Sequence, residues 1–408
     1  MVDEEHLNDV EAFVPNSVAM GGSGEGSLKG RTFVAKDLFS LQGHRSSFGH
    51  ERWRSTGAAA TVTSPILTHM LDAGADLVGL TKLDQLAYSL IGNVGEGAPP
   101  RNVLDDRLFC GGSSSGSAAA VAAGLADIGL GTDTAGSIRV PAAACGLHSI
   151  RPSHGLIEPD GVIPLAHSFD VVGVFGLQAS IIADVLKVLA PGADKITEPP
   201  KVKFAADVFD EADAQTARIG RAAASAAADV MGGPFEETEF GEFTSTDVGD
   251  LFARLQGREI WSNHGPWVAE HGSSLAEDVR MRLERCERFS QDPDRAQQND
   301  RAERLAYTRS LRVAVEPGTV VVLPVMLRHG PMRDWDDRQL AQFRSECFRL
   351  AAPSSLTGAP QAVFSVHRDG DPRSVGVGLL AAPGGEFRLL EVMAMLGDDA
   401  RATGMGFG

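Results

Sequence analysis

One segment of the 408-residue chain concentrates serine and glycine, residue types that can supply a hydroxyl nucleophile and a set of backbone donors. It runs from Gly111 to Gly146 and reads GGSSSGSAAAVAAGLADIGLGTDTAGSIRVPAAACG. Its two loops, Gly111–Ser117 and Gly131–Ser137, flank a predicted helix and a predicted strand. Small residues in loops at strand ends allow backbone N–H groups to converge on a ligand. The segment therefore indicates a site made of serine hydroxyls and backbone amides.

The seven lysines of the chain exclude two known kinds of site for these loops. A phosphate-binding P-loop needs Gly-Lys followed by Ser or Thr, and the chain has no Gly-Lys dipeptide. A penicillin-binding-type site needs Ser-x-x-Lys, and no lysine has a serine three residues before it. Both classes of enzyme are therefore ruled out.

Two other arrangements stay open as weaker interpretations. Gly112–Gly116 matches the Gly-x-Ser-x-Gly nucleophile elbow, but the segment before it has a loop-like sequence where the elbow needs a strand. Cys145 and His148 could form a thiol–imidazole pair, although catalytic pairs are usually adjacent in space and not in sequence. A buried structural cysteine is the simpler interpretation of Cys145.

The surrounding sequence predicts the elements that would position these loops. A β-rich run over 31–37 ends near Lys36, a helix follows over 64–74, and a strand of buried type follows over 76–81. The segment itself contributes a helix over 114–124 and a strand over 127–131. This alternation predicts an α/β fold with a largely buried sheet.

The second half of the chain is predicted to complete the same sheet. A charged helical stretch covers about 205–316, and strands return near 319–323, 362–366 and 375–379 before a final helix at about 386–396. Late strands after a helical stretch imply one sheet completed by distant segments. We therefore expect a single domain over 1–408, with a core at 30–180, a helical insertion or cap at about 205–316, and returning strands with the final helix at 317–396.

Composition narrows the functional class. Apolar residues make up 43% of the chain and charged residues 22%, which are ordinary globular values. The 37 basic and 54 acidic residues give a net charge of −17, which disfavours nucleic-acid binding. The four cysteines form no CxxC pair, the N-terminus resembles no signal peptide, and no apolar run is long enough for a membrane span. These features predict a cytoplasmic protein without a membrane partner.

With these motifs in view, the chain resembles the amidase signature family, serine hydrolases that use a Ser–cis-Ser–Lys triad. The 111–146 segment followed by RPSHG resembles the family signature, FVAKDLF resembles the strand that carries the lysine, and LAAPSSLTGAPQ, PRSVGVGLLA and EFRLLEVMAML resemble its C-terminal segments. The likeness covers about 30–396 and is greatest to plant-type indole-3-acetamide hydrolases and their bacterial relatives. It implies one central mixed β-sheet covered on both faces by helices, and a homodimer.

The resemblance also implies roles for individual residues. Ser137 matches the nucleophile, Ser113 the bridging serine with a cis bond to Gly112, and Lys36 the general base. The remaining matches are the oxyanion-hole N–H groups of Thr134, Ala135, Gly136 and Ser137, the bracing residues Gly112, Asp133 and Arg139, and the acyl-pocket residues Tyr88 and Ser89. No metal or cofactor is implied.

Elementary chemistry agrees with these roles. An amide carbonyl is a poor electrophile, so a serine needs a base and an oxyanion trap to attack it. Lysine can act as a base only when neutral, which requires burial to lower its pKa from about 10.4. Lys36 ends a strand of buried type, so we expect a neutral to alkaline pH optimum.

One position departs from the family pattern. The family usually has Gly-Gly before the nucleophile, whereas this chain has Ala135-Gly136. If position 135 needs a positive φ, alanine would be strained and would shift the oxyanion donors. If φ is negative, the methyl group merely narrows the pocket.

The expected reaction is hydrolysis of a small primary amide, of the aryl- or indole-acetamide type, to an acid and ammonia. Three alternatives stay open at this point. The same triad could hydrolyse a carbamate, a urea-type compound or an N-substituted amide. It could also supply ammonia within an aminoacyl-tRNA amidotransferase, or the chain could be a weak paralogue that acts as a binding protein.

Overall fold

The computed structural model describes residues 10–193, 197–368 and 371–397 and contains one ten-stranded mixed sheet. The strand order is β2-β1-β3-β5-β4-β9-β10-β8-β6-β7. The strands are β1 Thr32–Lys36, β2 Asp76–Thr81, β3 Ile128–Asp133, β4 His148–Arg151, β5 Val171–Gly176, β6 Lys201–Ala205, β7 Phe235–Thr238, β8 Thr319–Pro324, β9 Gln361–Arg368 and β10 Asp371–Ala381.

Helices cover both faces of this sheet, which confirms the predicted α/β class. The helices are α1 Glu51–Thr56, α2 Pro65–Asp72, α3 Ser115–Ala122, α4 Arg139–Cys145, α5 Ala179–Leu189, α6 Ala206–Asp210, α7 Ala214–Met231, α8 Thr246–His271, α9 Glu277–Ser290, α10 Asp294–Ala314, α11 Asp337–Thr357 and α12 Glu386–Leu396. Within the described residues, no helix is both long enough and apolar enough to cross a membrane.

Three parallel strands, β2, β1 and β3, place Lys36 and the loop that carries Ser137 at one edge of the sheet. β1 lies between β2 and β3 and runs parallel to both, with Ala35 opposite Leu130 in β3. The carboxyl ends of parallel strands meet at the same edge, where ligands commonly bind in α/β sheets. Lys36 therefore ends beside the loop that leaves β3.

Distant segments complete the sheet, as the sequence predicted. β4 pairs antiparallel with β9, which connects the first half of the chain to the strands that follow the helical stretch. β9 then pairs with β10, and β10 pairs with β8. The single sheet thus joins segments more than 200 residues apart in the sequence.

One strand in the predicted helical stretch was missed. β7 has the sequence FEET, its residues are exposed or half-buried, and it pairs in parallel with β6 at the edge of the sheet. Two glutamates in four residues give no hydrophobic alternation, so the sequence lacks the pattern from which strands are recognised. The neighbouring helices α7 to α10 agree with the prediction, whereas α11 lies after this stretch and was not predicted.

Candidate active site

Lys36 lies at the end of β1 with its ammonium group inside the protein. The side chain is completely buried, and Nζ donates to Ser113 Oγ at 2.8 Å and to Thr132 Oγ1 at 3.1 Å. Both acceptors come from the segment that the sequence singled out. The register of β1 and β3 produces this contact, because Thr132 is the penultimate residue of β3.

Ser113 sits on a turn that leads into α3. The peptide bond between Gly112 and Ser113 is cis, as the resemblance implied. Asp84 supports the turn from behind: its backbone N–H donates to the Ser113 carbonyl at 3.2 Å, and its carboxylate accepts from the N–H groups of Gly92 and Val94. A Cβ on Gly112 would lie 2.0 Å from Asp84 Oδ2, so this position requires glycine.

Burial dominates the electrostatics of Lys36. Loss of hydration lowers the pKa of its ammonium from 10.5 to about 7, against the opposing effect of Asp84, Asp133 and Asp170. None of these carboxylates forms a hydrogen bond with Nζ among the described residues, so they act at a distance. A substantial neutral fraction of Lys36 therefore exists near neutral pH, and a neutral amine can accept a proton.

The loop between β3 and α4 carries Ser137 and is organised around the buried carboxylate of Asp133. That carboxylate accepts from the backbone N–H groups of Gly136 at 2.8 Å and Ile138 at 3.1 Å. Arg139 adds two charge-assisted bonds, from Nη2 at 2.7 Å and Nε at 3.0 Å. Burial alone would raise the pKa of Asp133, but Arg139 and Arg151 hold it well below its ordinary value. The loop is thus fixed by an ionised carboxylate.

Two charged residues that the sequence analysis did not assign join this support. Arg151, at the end of β4, donates from Nη1 to the Asp133 carbonyl and from Nη2 to the Phe169 carbonyl. Asp170 accepts from the Thr134 hydroxyl at 2.6 Å, and burial raises its pKa. The loop is therefore held from both β4 and the start of β5.

The backbone donors in this loop differ from the sequence prediction at one position. The N–H of Gly136 donates to Asp133, so it is not free to bind an oxyanion as predicted. In the part of the chain that the structure describes, the N–H groups of Thr134, Ala135 and Ser137 have no hydrogen-bond partner. Three N–H groups of the loop that carries Ser137 are therefore free, since the carboxylate that orders the loop uses the fourth.

The structure answers the question raised by alanine at position 135. Ala135 is absent from the described non-glycine residues with positive φ, whereas Gly136 has a φ of +112°. The position that requires glycine therefore has it, and Ala135 carries no backbone strain of the left-handed type. Its methyl group lies in the wall of a cavity beside Thr134 and Ser137.

That cavity has a volume of about 800 Å³ and opens beside the loop that carries Ser137. Tyr88 and Ser89 also line it, at the place suggested for the acyl pocket. Its apolar wall includes Leu90, Val94, Leu165, Leu340 and Phe348. A space of this size accommodates a substrate much larger than acetamide.

Sequence reasoning missed the charged groups near Lys36, Ser113 and Ser137. Asp84 and Asp170 are two among 54 acidic residues, and their burial depends on the folded chain. Arg151 offered a weak signal, since it follows the apolar Ile150 directly and ends a short strand of buried type. The arginines of the cavity wall, Arg282 and Arg344, lie on charged helices that look solvent-exposed in sequence.

Comparison with known proteins gives a consistent result. The family model described as Amidase matches residues 11–231. A protein called Amidase 1 from Oryza sativa subsp. japonica is 32% identical over an alignment of 398 residues that covers 90% of each chain. Amidase 1 from Arabidopsis thaliana is 30% identical and covers 95% of this chain and 98% of its own length.

A solved structure shares the fold. It is described as the crystal structure of an amidase, and it superimposes with a TM-score of 0.78 at 24% identity over 91% of this chain and 85% of its own. The family match and the plant relatives carry the assignment, and the structural likeness supports the architecture. The chain therefore belongs to the amidase family and is an enzyme that hydrolyses amide C–N bonds.

Proposed function

We propose that the chain hydrolyses a small primary amide to a carboxylic acid and ammonia with Ser137 as nucleophile, Ser113 as proton relay and Lys36 as general base. The observation that carries this proposal is the contact between Lys36 Nζ and Ser113 Oγ at 2.8 Å, with the lysine completely buried. A buried lysine bonded to a serine, without a carboxylate partner, is suited to proton transfer rather than to an ion pair.

In the first half of the reaction Ser137 attacks the amide carbonyl. Its proton passes to Ser113 as the proton of Ser113 passes to Lys36, so the base becomes an ammonium. The oxyanion that forms accepts from the free N–H groups of Thr134, Ala135 and Ser137, which the fixed loop holds ready.

In the second half the tetrahedral intermediate collapses. Lys36 returns its proton through Ser113 to the leaving nitrogen, the C–N bond breaks, and ammonia departs from an acyl-enzyme on Ser137. Water then attacks the ester with the same relay acting as base, which releases the acid and restores the serine. Every proton taken up by Lys36 is returned, so the cycle balances without a cofactor.

The cavity supports an acyl group with an apolar body. Leu90, Leu165 and Phe348 offer a surface for an aryl or alkyl group beside Ser137. We therefore assign the substrate to amides of aryl- or indole-acetic type. A cytoplasmic location, a homodimer and a single domain over 1–408 stay predictions of the sequence analysis.

The pH dependence of kcat/KM should report the ionisation of Lys36. The protonated form cannot accept a proton, so activity should rise with pH through an apparent pKa of about 7 and level off above it. Initial rates of ammonia release at saturating and limiting amide, with the melting temperature checked at each pH, measure this. A flat profile between about pH 5 and pH 9 would contradict a lysine base.

The direct test is ammonia release from a panel of indole-3-acetamide, phenylacetamide, benzamide and malonamide, beside ammonia release from a carbamate and a urea and methylamine release from an N-methyl amide. The proposal expects turnover of at least one primary amide, labelling by a fluorophosphonate probe, and loss of both in Ser137→Ala. Turnover of the carbamate or urea alone would move the enzyme to that substrate class. The absence of both turnover and labelling would overturn both the proposed nucleophile and the proposed substrate class.

A further inference from the structure

Two arginines face the substrate cavity and share a single carboxylate. Arg282 on α9 and Arg344 on α11 each donate to Asp278 Oδ2, at 2.9 Å from Arg282 Nη1 and at 3.0 Å from Arg344 Nη2. Their side chains are only 15% and 17% exposed, so both guanidinium groups lie largely out of bulk water. One carboxylate for two largely buried cations leaves one positive charge without a hydrogen-bonded counterion of its own.

The donors of this pair are incompletely used. Arg282 Nε and Arg344 Nε are buried without a hydrogen-bond partner, and Arg344 Nη1 has none among the described residues either. Arg282 Nη2 is occupied, since it donates to the Tyr88 carbonyl at 2.7 Å. The two Nε atoms are shut off from the cavity, whereas Arg344 Nη1 is the unpartnered donor that a ligand in the cavity can reach.

The other charged groups of the cavity do not neutralise this pair. Asp250, Glu277 and Asp337 are exposed at its mouth, where water screens them. Arg349 pairs with Glu211, and the exposed Arg285 lies over the Phe289 ring. Asp84 acts on the two guanidinium groups only at a distance, because its carboxylate accepts from the N–H groups of Gly92 and Val94 and from neither arginine.

Burial of Arg344 and the nearby charge of Arg282 both disfavour the positive charge of the Arg344 guanidinium. Burial first, and Arg282 second, lower the pKa of the Arg344 guanidinium to about 10, so it stays charged at neutral pH while its positive charge is poorly compensated. An anion placed between the two guanidinium groups would relieve this repulsion. Guanidinium groups bind carboxylates through paired N–H donors, which makes a carboxylate the matching ligand.

We propose that the amide substrate carries a second functional group, a carboxylate, which binds Arg344 and Arg282 while the scissile carbonyl meets Ser137. The proposal rests on the proposed function, because it names the substrate class of the same site. The apolar wall between the two ends takes the body of the molecule. The substrate is then the half-amide of a dicarboxylic acid and the product is the diacid.

The test compares matched pairs of amides that differ in one charge. The monoamides of adipic acid and of para-phenylenediacetic acid are each assayed against the corresponding diamide by ammonia release. The proposal expects kcat/KM for the half-amide to exceed that for the diamide by about tenfold or more, chiefly through a lower KM. A preference for the diamide would overturn it.

Substitutions of Arg344 test whether this residue causes the difference in kcat/KM between the half-amide and the diamide. Arg344→Gln should lower kcat/KM for the half-amide by about tenfold to a hundredfold and leave the diamide within about twofold, and Arg344→Lys should restore part of the loss. Arg338→Gln is the matched control, because Arg338 is exposed on the same helix and does not line the cavity. Equal losses for both substrates would assign Arg344 a structural role and overturn the proposal.

Binding measurements test the proposed carboxylate site independently of the proposed catalytic roles of Ser137, Ser113 and Lys36. Calorimetric titration of Ser137→Ala with each half-amide and diamide measures affinity without turnover, and needs no folded Arg344 variant. Tighter binding of the half-amide, weakened by salt, supports the carboxylate site even if the triad assignment fails. Equal binding of the pair, with turnover of neutral amides intact in the wild type, would overturn the carboxylate site alone.

Discussion

Replacing Ser137 with alanine is expected to lower kcat for amide hydrolysis by about 10⁵- to 10⁶-fold. In the proposed mechanism the hydroxyl forms the acyl-enzyme, so its loss removes covalent catalysis and leaves the backbone donors and substrate binding. Substrate affinity should stay near its wild-type value, because the side chain that is removed is small and the Asp133 network around the loop is unchanged. Rapid-quench measurements of ammonia release and calorimetric binding give both quantities.

Ser374→Ala is the matched control for that substitution. Ser374 and Ser137 are each 4% exposed, but Ser374 lies on β10, where its hydroxyl donates to the Ala143 carbonyl at 2.9 Å. It should keep its kcat and lose at most about 1 kcal/mol of stability, the usual contribution of one hydrogen bond. If Ser137→Ala kept a kcat within about tenfold of the wild type, the nucleophile would have to be another residue.

Replacing Lys36 with methionine should abolish activity and yet stabilise the fold. Methionine has a similar length and no charge, so the variant no longer dehydrates an ammonium group. The drop in pKa from 10.5 to about 7 measures the cost of that burial, and the loss of the bonds to Ser113 and Thr132 offsets part of the gain. We expect the free energy of unfolding at pH 7 to rise by about 2–4 kcal/mol.

The sign of the pH dependence makes this prediction specific. Below about pH 7 the lysine is protonated in both states, so the wild type carries the full penalty. Between about pH 7 and 10.5 the unfolded chain binds more protons than the folded one, so wild-type stability gains with rising pH and the advantage of the variant shrinks. Urea unfolding of both proteins at several pH values measures this trend.

Lys82→Met provides the contrast. Lys82 is almost as buried, but its Nζ donates to Glu11 at 2.6 Å and to the Ala98 carbonyl at 3.1 Å. Its replacement leaves these acceptors without a partner, so it should be neutral or destabilising. A Lys36→Met variant that is less stable than the wild type at pH 7 would show that the bonds of Nζ outweigh its dehydration.

The linear pattern predicted those parts of the molecule that depend on local sequence. The strands ending at Lys36 and at Asp133 are short apolar runs, and their parallel pairing follows from the βαβ alternation. The three residues of the proposed triad come from motifs in family order. For these features, local propensity and tertiary structure agree.

Features that depend on long-range contacts could not be read from the chain. The burial of Asp84 and Asp170 results from loops that meet far from them in sequence, and charge alone does not distinguish them from surface acids. The use of the Gly136 N–H by Asp133 is a matter of loop geometry. The arginines of the cavity wall lie on helices whose composition favours exposure, so tertiary packing decided their position.

The support of the nucleophile loop has a consequence for the order in which the protein becomes active during synthesis. Arg139 donates to Gln361 and Ser355, and Arg151 donates to Ser354, across separations of 203 to 222 residues. A nascent chain emerges from the ribosome N-terminal end first, so the serines and the lysine are exposed long before these partners exist. The site can acquire its final shape only after residues 354–361 have left the ribosome, which ties hydrolytic competence to the synthesis of these late segments.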